Sequence, residues 1–394
     1  MIYRLANTVQ EYAWGDTHSM AELLGVPNLD KKPQAELWMG AHPKSPSMIY
    51  KDSEKVALDK YISQSPLSAL GEKTKKRFGK LPFLFKVLAA GDPLSIQVHP
   101  NLEQAKNGFE IENKKQIPLD AFNRNYKDDN HKPEIICALT NFHAMNGFRP
   151  IQQIIEHLEK LPDDFFKKQI LVLKENPPTI GLRLFFESIM RCDDVTKNKI
   201  LLSACQVAKN IHETAFEWVL KLNQKYPGDI GCLCPLFLNV ITLQPGEAMF
   251  LEAGRLHSYL QGVGVELMAN SDNVLRGGLT PKYVDIDELL KILTFEVSNL
   301  KILKPKGFLP EKFFPDFVDE FSLSVIELTG STEYELEQNK KPSILLCTEG
   351  SGKFFDGEEP INFEKGNSYF IPADQPTIKI SGVCRIYRAT VAGV

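Results

Sequence analysis

The sequence predicts a mainly β protein, with two jelly-roll β-barrel domains and an α-helical domain inserted into the first. Three observations predict it. Residues 1–150 and 230–394 alternate short apolar runs with Gly, Pro, Asn and Asp turns, as strands and close loops do. Over 151–229 apolar residues instead recur at helical spacing. The third observation is an internal repeat. Gln244-Pro-Gly-Glu-Ala-Met-Phe-Leu-Glu-Ala-Gly254 is echoed by Glu364-Lys-Gly-Asn-Ser-Tyr-Phe-Ile-Pro-Ala-Asp374. Antiparallel strands with such Gly turns suit a jelly roll. Aligning Gly246 with Gly366 sets His257 opposite Thr377, so the second copy keeps the turn–strand–turn scaffold and lacks the histidine. The boundaries expected are 1–150 plus 230–320 for the first β domain, 151–229 for the helical insertion and 321–394 for the second β domain.

In chain order, Tyr12-Ala-Trp-Gly15 and Glu36-Leu-Trp-Met-Gly-Ala-His-Pro-Lys44 have the aromatic, Gly and Pro density of strands and tight loops. His42, beside Pro43, reads as a structural loop residue. Helices are expected over 58–70 and 72–78. Residues 81–90 form a buried strand by length and branched content. Lys86 sits in its middle and must find an anion there or lose its charge. A turn at 90–93 leads to Leu94-Ser-Ile-Gln-Val-His-Pro100. Residues 101–113 read as helix and loop, and His131-Lys-Pro-Glu-Ile-Ile-Cys-Ala-Leu139 leads into a strand. In the helical segment Ile151, Ile154, Ile155, Leu158 and Leu161 mark one apolar stripe, and Phe216, Val219, Leu220 and Leu222 mark the last. His157 and His212 in that segment are surface or packing residues. Strands are expected at 236–243, 248–252 and 262–269, a polar loop at 270–273, and a helix at 285–293.

A chain of 394 residues is long enough for two or three domains. Composition is that of a soluble globular protein, 43% hydrophobic and 24% charged. A net charge of -4 supplies no global basic field for nucleic acid. The N-terminus lacks the layout of a signal peptide, and no apolar run reaches the roughly 20 residues of a membrane span. The seven cysteines are scattered without a C-x-x-C pair, as reduced thiols of a cytoplasmic protein are.

Side chains two apart in a strand share a face, so Ser95, Gln97 and His99 point the same way, as do Lys132 and Glu134. Gln97, His99, Glu134 and His257 are four candidate ligands on three β segments. Two imidazoles, a carboxylate and an amide oxygen suit Zn²⁺, with other divalent ions open. Two histidines and a carboxylate on a jelly roll also describe non-haem iron oxygenases. A sugar-binding regulator without turnover is a third reading, since fold does not fix function.

Ser95-Ile-Gln-Val-His-Pro100, His131-Lys-Pro-Glu134, Leu256-His-Ser-Tyr-Leu260 and Asn273-Val-Leu-Arg-Gly-Gly-Leu-Thr-Pro-Lys282 resemble the motifs of type I mannose-6-phosphate isomerases, as do the two aromatic stretches near the N-terminus. The resemblance runs in order from residue 12 to about 295, while the C-terminal 90 residues match only in general pattern. Ser258, where the family commonly has alanine, is a mild departure. The resemblance implies a zinc enzyme of the cupin superfamily, with two cupin-like domains, interconverting mannose 6-phosphate and fructose 6-phosphate through a cis-enediol. The implied zinc ligands are Gln97, His99, Glu134 and His257, with one ion per subunit. The implied catalytic residues are Arg276, Lys132 and Glu266. Ser95, Lys86, Asp272 and Lys282 are the substrate and phosphate candidates. Of these, Ser95 and Lys86 are preferred for the phosphate, with Arg276 or Lys282 as alternatives. The expected partner is a small sugar phosphate, and the expected state a monomer.

Overall fold

The computed structural model describes residues 1–51, 54–308, 310–357 and 359–393; residue 394, the expected end of the last segment, lies outside them. The strand His257–Ala269 is the axis of the first sheet, thirteen residues long. Val263, Val265 and Leu267 face an apolar core from one side of it, which leaves Glu266 on the other. Along its C-terminal half it pairs with Phe83–Ala90 on one edge and Glu134–Ala138 on the other. Near its start it pairs with Phe142–Phe148 and meets Gln97. The strand expected at 262–269 thus begins five residues earlier, at His257. Gly262 lies inside it and lets it continue past a close approach. Its φ is 123°, and a Cβ there would lie 2.5 Å from the Asn141 carbonyl oxygen. The strand Phe142–Phe148 was not anticipated from sequence.

The second sheet runs Glu311–Phe313, Ser322–Leu336, Ile378–Thr390, Ser343–Phe355, Ser368–Ile371, and then returns to the N-terminus with Tyr3–Ala6, Met48–Lys51 and Glu54–Ala57. Tyr3 pairs with Phe370 and Leu5 with Ile49. The first fifty-odd residues therefore serve both sheets. One apolar cluster joins them, holding Tyr3, Leu37, Phe85, Val265, Leu323, Ile344 and Phe370 together. Both sheets are open pairing paths among the described residues, so the ladders do not close the barrels that the turn pattern suggested. Mainly β architecture with a helical insertion is what the chain forms.

The internal repeat is visible as strands. Ala248–Leu251 corresponds to Ser368–Ile371 and His257–Ala269 to Ile378–Thr390. Gly246 and Gly366 hold nearly the same backbone, with φ 84° and 85°. Gly262 has its counterpart in Gly382, where a Cβ would lie 2.4 Å from the Ser351 carbonyl.

The insertion consists of helices Ile151–Glu159, Asp164–Glu175, Pro178–Met190, Asp194–Ala208 and Thr214–Lys225, closed by a 3₁₀ segment Ile230–Leu236. Asp163 and Asp193 start two of them by accepting backbone N–H bonds. Phe185, Phe186, Phe216 and Phe237 bury against Phe148 and Val98 of the first sheet. The helix expected over 58–70 is two helices, Leu58–Gln64 and Pro66–Leu70, because proline lacks the N–H needed inside a helix and suits a first turn. All seven cysteines are unpaired. Among the described residues, no helix is long and apolar enough to cross a membrane.

Candidate active site

His99 follows the short strand Ile96–Val98, Glu134 opens Glu134–Ala138, and His257 opens the axial strand. The sheet brings these three residues from distant parts of the chain so that one ligand atom of each lies within 4.8 Å of the others. His99 Nε2 and His257 Nε2 are each 3.6 Å from Glu134 Oε2. Both imidazoles are oriented from behind. His99 Nδ1–H donates to the Asn273 carbonyl at 2.7 Å and His257 Nδ1–H to the Arg255 carbonyl at 3.0 Å. Each Nε2 therefore presents its lone pair to the cluster. His99 Nε2 is fully buried and has no hydrogen-bond partner. A buried polar atom left unpaired is costly, and a metal ion is the partner this donor set fits.

Burial lowers both imidazole pKa values, that of His257 to about 4, which keeps the rings neutral and able to ligate. Burial would raise the Glu134 carboxyl, but Lys132 and His99 outweigh it and hold it well below the usual carboxylate value. Lys132 Nζ lies 2.6 Å from Glu134 Oε1. Gln97 stands opposite His257 in the ladder, and its amide nitrogen donates to Ser95 Oγ at 3.1 Å. With its nitrogen so engaged, the amide oxygen is the atom it offers a metal.

Beside the cluster lies a small cavity of about 50 Å³, lined by Lys86, Ser95, Gln97, Lys132, Glu134, His257, Tyr259 and Glu266, with Glu36 at its edge. Register builds its far wall. Trp38 pairs with Lys86, and Lys86 with Glu266, across three adjacent strands. Lys86 Nζ sits 3.2 Å from Glu266 and 3.5 Å from Glu36. Trp38 Nε1 donates to Glu36 at 2.7 Å, and Tyr259 Oη donates to Glu266 at 2.8 Å. Burial alone would strip the Lys86 proton; Glu36 and Glu266 overcome this and raise its pKa. Two carboxylates share that one ammonium, so burial, reinforced by Glu134, leaves the Glu266 pKa raised.

Arg276 stands opposite Gln97 on the strand Leu275–Gly278. Burial alone lowers its pKa, with no carboxylate countering it. Lys282 is lowered by burial, then by Arg276 and Lys127. Arg276, Lys282 and Lys127 form a cationic rim, in which Asp272 offsets Lys127. Asp272 is held by Lys44 at 2.8 Å and approached by His42 at 3.7 Å.

Seven of the eleven residues singled out from sequence thus line one cavity, and His99 joins them through Glu134. Arg276, Lys282 and Asp272 lie outside that lining. Lys86, one of the two residues preferred for the phosphate, holds its ammonium between Glu36 and Glu266. Sequence reasoning missed Glu36, Asn273 and Lys127. The signal for Glu36 was its place two residues before Trp38, on the same face of one strand.

A buried His–Glu–His cluster on an antiparallel β scaffold, with an amide beside it and a cationic rim, defines a metal-binding protein of cupin type. The chain matches the family model for the phosphomannose isomerase type I catalytic domain over residues 2–151, that for the helical insertion domain over 151–238, and that for the mannose-6-phosphate isomerase cupin domain over 310–391. It is 42% identical to the mannose-6-phosphate isomerase of Escherichia coli strain K12, over 98% of each chain. It is 36% identical to the human enzyme of that name, over 95% of this chain and 94% of the relative. It superposes on a crystal structure of a zinc-bound mannose 6-phosphate isomerase with a TM-score of 0.94, at 42% identity and 99% coverage of both chains. The chain belongs to the type I phosphomannose isomerase family.

Proposed function

We propose that this protein is a zinc-dependent isomerase interconverting D-mannose 6-phosphate and D-fructose 6-phosphate through a cis-enediol. The observation that carries the reading is the unpartnered, buried Nε2 of His99, set with His257 and Glu134 around one point. Gln97, His99, Glu134 and His257 would hold one zinc ion. Bound there, zinc supplies a Lewis acid worth several kcal/mol where negative charge develops on a sugar oxygen.

The protein's own groups divide the remaining work. Glu266 moves the proton between C2 and C1. Its raised pKa makes it a stronger base than an exposed carboxylate, and the Tyr259 hydroxyl fixes its orientation. Lys132 is the other candidate, but its ammonium is engaged by Glu134. Arg276, permanently charged and without a carboxylate partner, stabilises the enediolate. Lys282, with Lys127, receives the phosphate, and Ser95 contributes a hydroxyl. Asp272 holds Lys44 and His42 at the border of that rim.

We further propose the division 1–150 with 230–320, 151–229 and 321–394, with both β units derived from jelly rolls. The state proposed is a monomer, and a cytoplasmic location agrees with seven unpaired thiols. The test is an isomerase assay on mannose 6-phosphate before and after chelation. Activity is expected to vanish with the metal and return with zinc; a full rate in metal-free protein contradicts the reading.

A further inference from the structure

Asn273 has no exposed surface, and its side chain lies outside the cavity lining. Its side chain nevertheless makes a dense set of bonds. Oδ1 accepts from the backbone N–H of Lys127 at 2.7 Å and of Asp128 at 3.2 Å. Nδ2 donates to the carbonyls of Asp128 at 2.8 Å and Asn130 at 2.9 Å. Both functions of one amide are thereby spent on the loop 127–130, which leads directly into Lys132 and Glu134. The backbone carbonyl of the same residue accepts the His99 Nδ1–H at 2.7 Å. Three residues further on, Arg276 stands in register with Gln97.

We propose that Asn273 is a positioning residue of the metal centre, tying the orientation of His99 to the loop that delivers Lys132 and Glu134 and to the strand that carries Arg276. No other donor or acceptor on the loop needs to change for this to hold. Ser271 Oγ braces the same loop, donating to Asp128 Oδ1 at 2.8 Å and to the Asn130 carbonyl at 3.1 Å, and accepting from Asn273 N at 3.2 Å. The physical logic is that of an outer shell. The imidazole's free nitrogen points where its bonded nitrogen is held, and a carbonyl that shifts releases that constraint. An exposed loop would leave Lys132 and Glu134 to settle independently of His99; the buried amide makes the three move as one body.

This inference rests on the metal-binding part of the function proposed above, and its test does not require turnover. Zinc affinity is measured by competition with a chromophoric chelator for the wild type, Asn273→Ala and Asn273→Asp, with thermal melting of each metal-free protein alongside. Asn273→Asp keeps the two acceptor contacts, loses the three donor contacts, and sets a charge where Nδ2 donates to the Asp128 carboxylate at 3.3 Å. Both variants are expected to bind zinc about 10- to 100-fold more weakly, the scale of an outer-shell loss at a metal site. Zinc affinity within about twofold of wild type, with only the melting temperature lowered, would overturn the proposal and leave Asn273 a plain packing residue. If neither variant folds, Ser271→Ala supplies the reading. It loosens the same loop, and a weakened zinc affinity supports the proposal while an unchanged one overturns it. A wild type that binds zinc but does not isomerise the sugar phosphate would remove the proposed function and leave this inference standing.

Discussion

The two β units use one ladder to opposite ends. In the first, Lys86 stands opposite Glu266; at the corresponding place in the second, Ile326 stands opposite Ile386, both fully buried. Glu134 faces Leu251 in the first unit, and Ser343 faces Ile371 in the second. His257 has Thr377 as its counterpart, exposed and just ahead of its strand. The interior of the second unit is filled by Leu345, Phe354, Phe363, Ile378, Ile380 and Ile386. The same backbone therefore supports a metal-ready interior or a mainly apolar one, and a handful of inward positions decides which. Charge in the first interior costs desolvation and is tolerated because each group is paired or awaits an ion. The second interior keeps one such pair, Arg388 with Glu311 at 3.3 Å, and otherwise contributes stability by apolar burial.

The sharpest way to break this contrast is His257→Ala against Thr377→Ala. The first is expected to lose bound metal and to slow the isomerase by about 10³-fold or more, since a Lewis acid contributes several kcal/mol. The second is expected to leave both unchanged. Metal analysis and a rate assay on both proteins check it, and retained metal in His257→Ala would undo the assignment. Arg276→Ala separates chemistry from metal within the first unit. It is expected to keep the ion and lose about 10²- to 10³-fold in kcat, on the scale of one preorganised stabiliser of developing charge.

Ile386→Ala probes the other side. Removing that side chain from a closed apolar core is expected to destabilise the protein by about 2–5 kcal/mol with metal content intact. Chemical unfolding of the metal-loaded protein reads this, and a loss of metal at full stability would show the two interiors to be coupled. The smallest effect concerns a pair at the border with the second unit, His131 Nε2 to Glu320 at 2.7 Å. Burial would raise the Glu320 carboxyl, but the His131 hydrogen bond and charge, a backbone hydrogen bond and Arg77 together outweigh it and hold its pKa below the usual glutamate value. A carboxyl depressed on folding stabilises above its unfolded pKa, and that contribution is lost as pH falls through the folded value. Glu320→Gln should therefore melt slightly below wild type at neutral pH and level with it in strong acid. A difference that grows on acidification contradicts the sign.

Much of the first unit was legible because its signals are local. Gln97 and His99 two apart, Lys132 and Glu134 two apart, and His257 after a Gly turn are readable from strand periodicity. The helical insertion was legible from its stripes, and the repeat from Gly246 and Gly366. What escaped was set by register between distant strands. Nothing near Tyr3 announces that it pairs with Phe370. Lys86 was recognised as needing an anion, yet only the ladder shows that Glu36 and Glu266 both supply it. Asn273 lay in a stretch that read as a polar loop, and its burial follows from a fold around it.

The most direct test of the account is a zinc titration of chelated protein, counting equivalents bound in the wild type, His257→Ala and Thr377→Ala. One tight equivalent per chain, absent from His257→Ala and present in Thr377→Ala, is the expected result. A second tight equivalent, or one that survives His257→Ala, would contradict it.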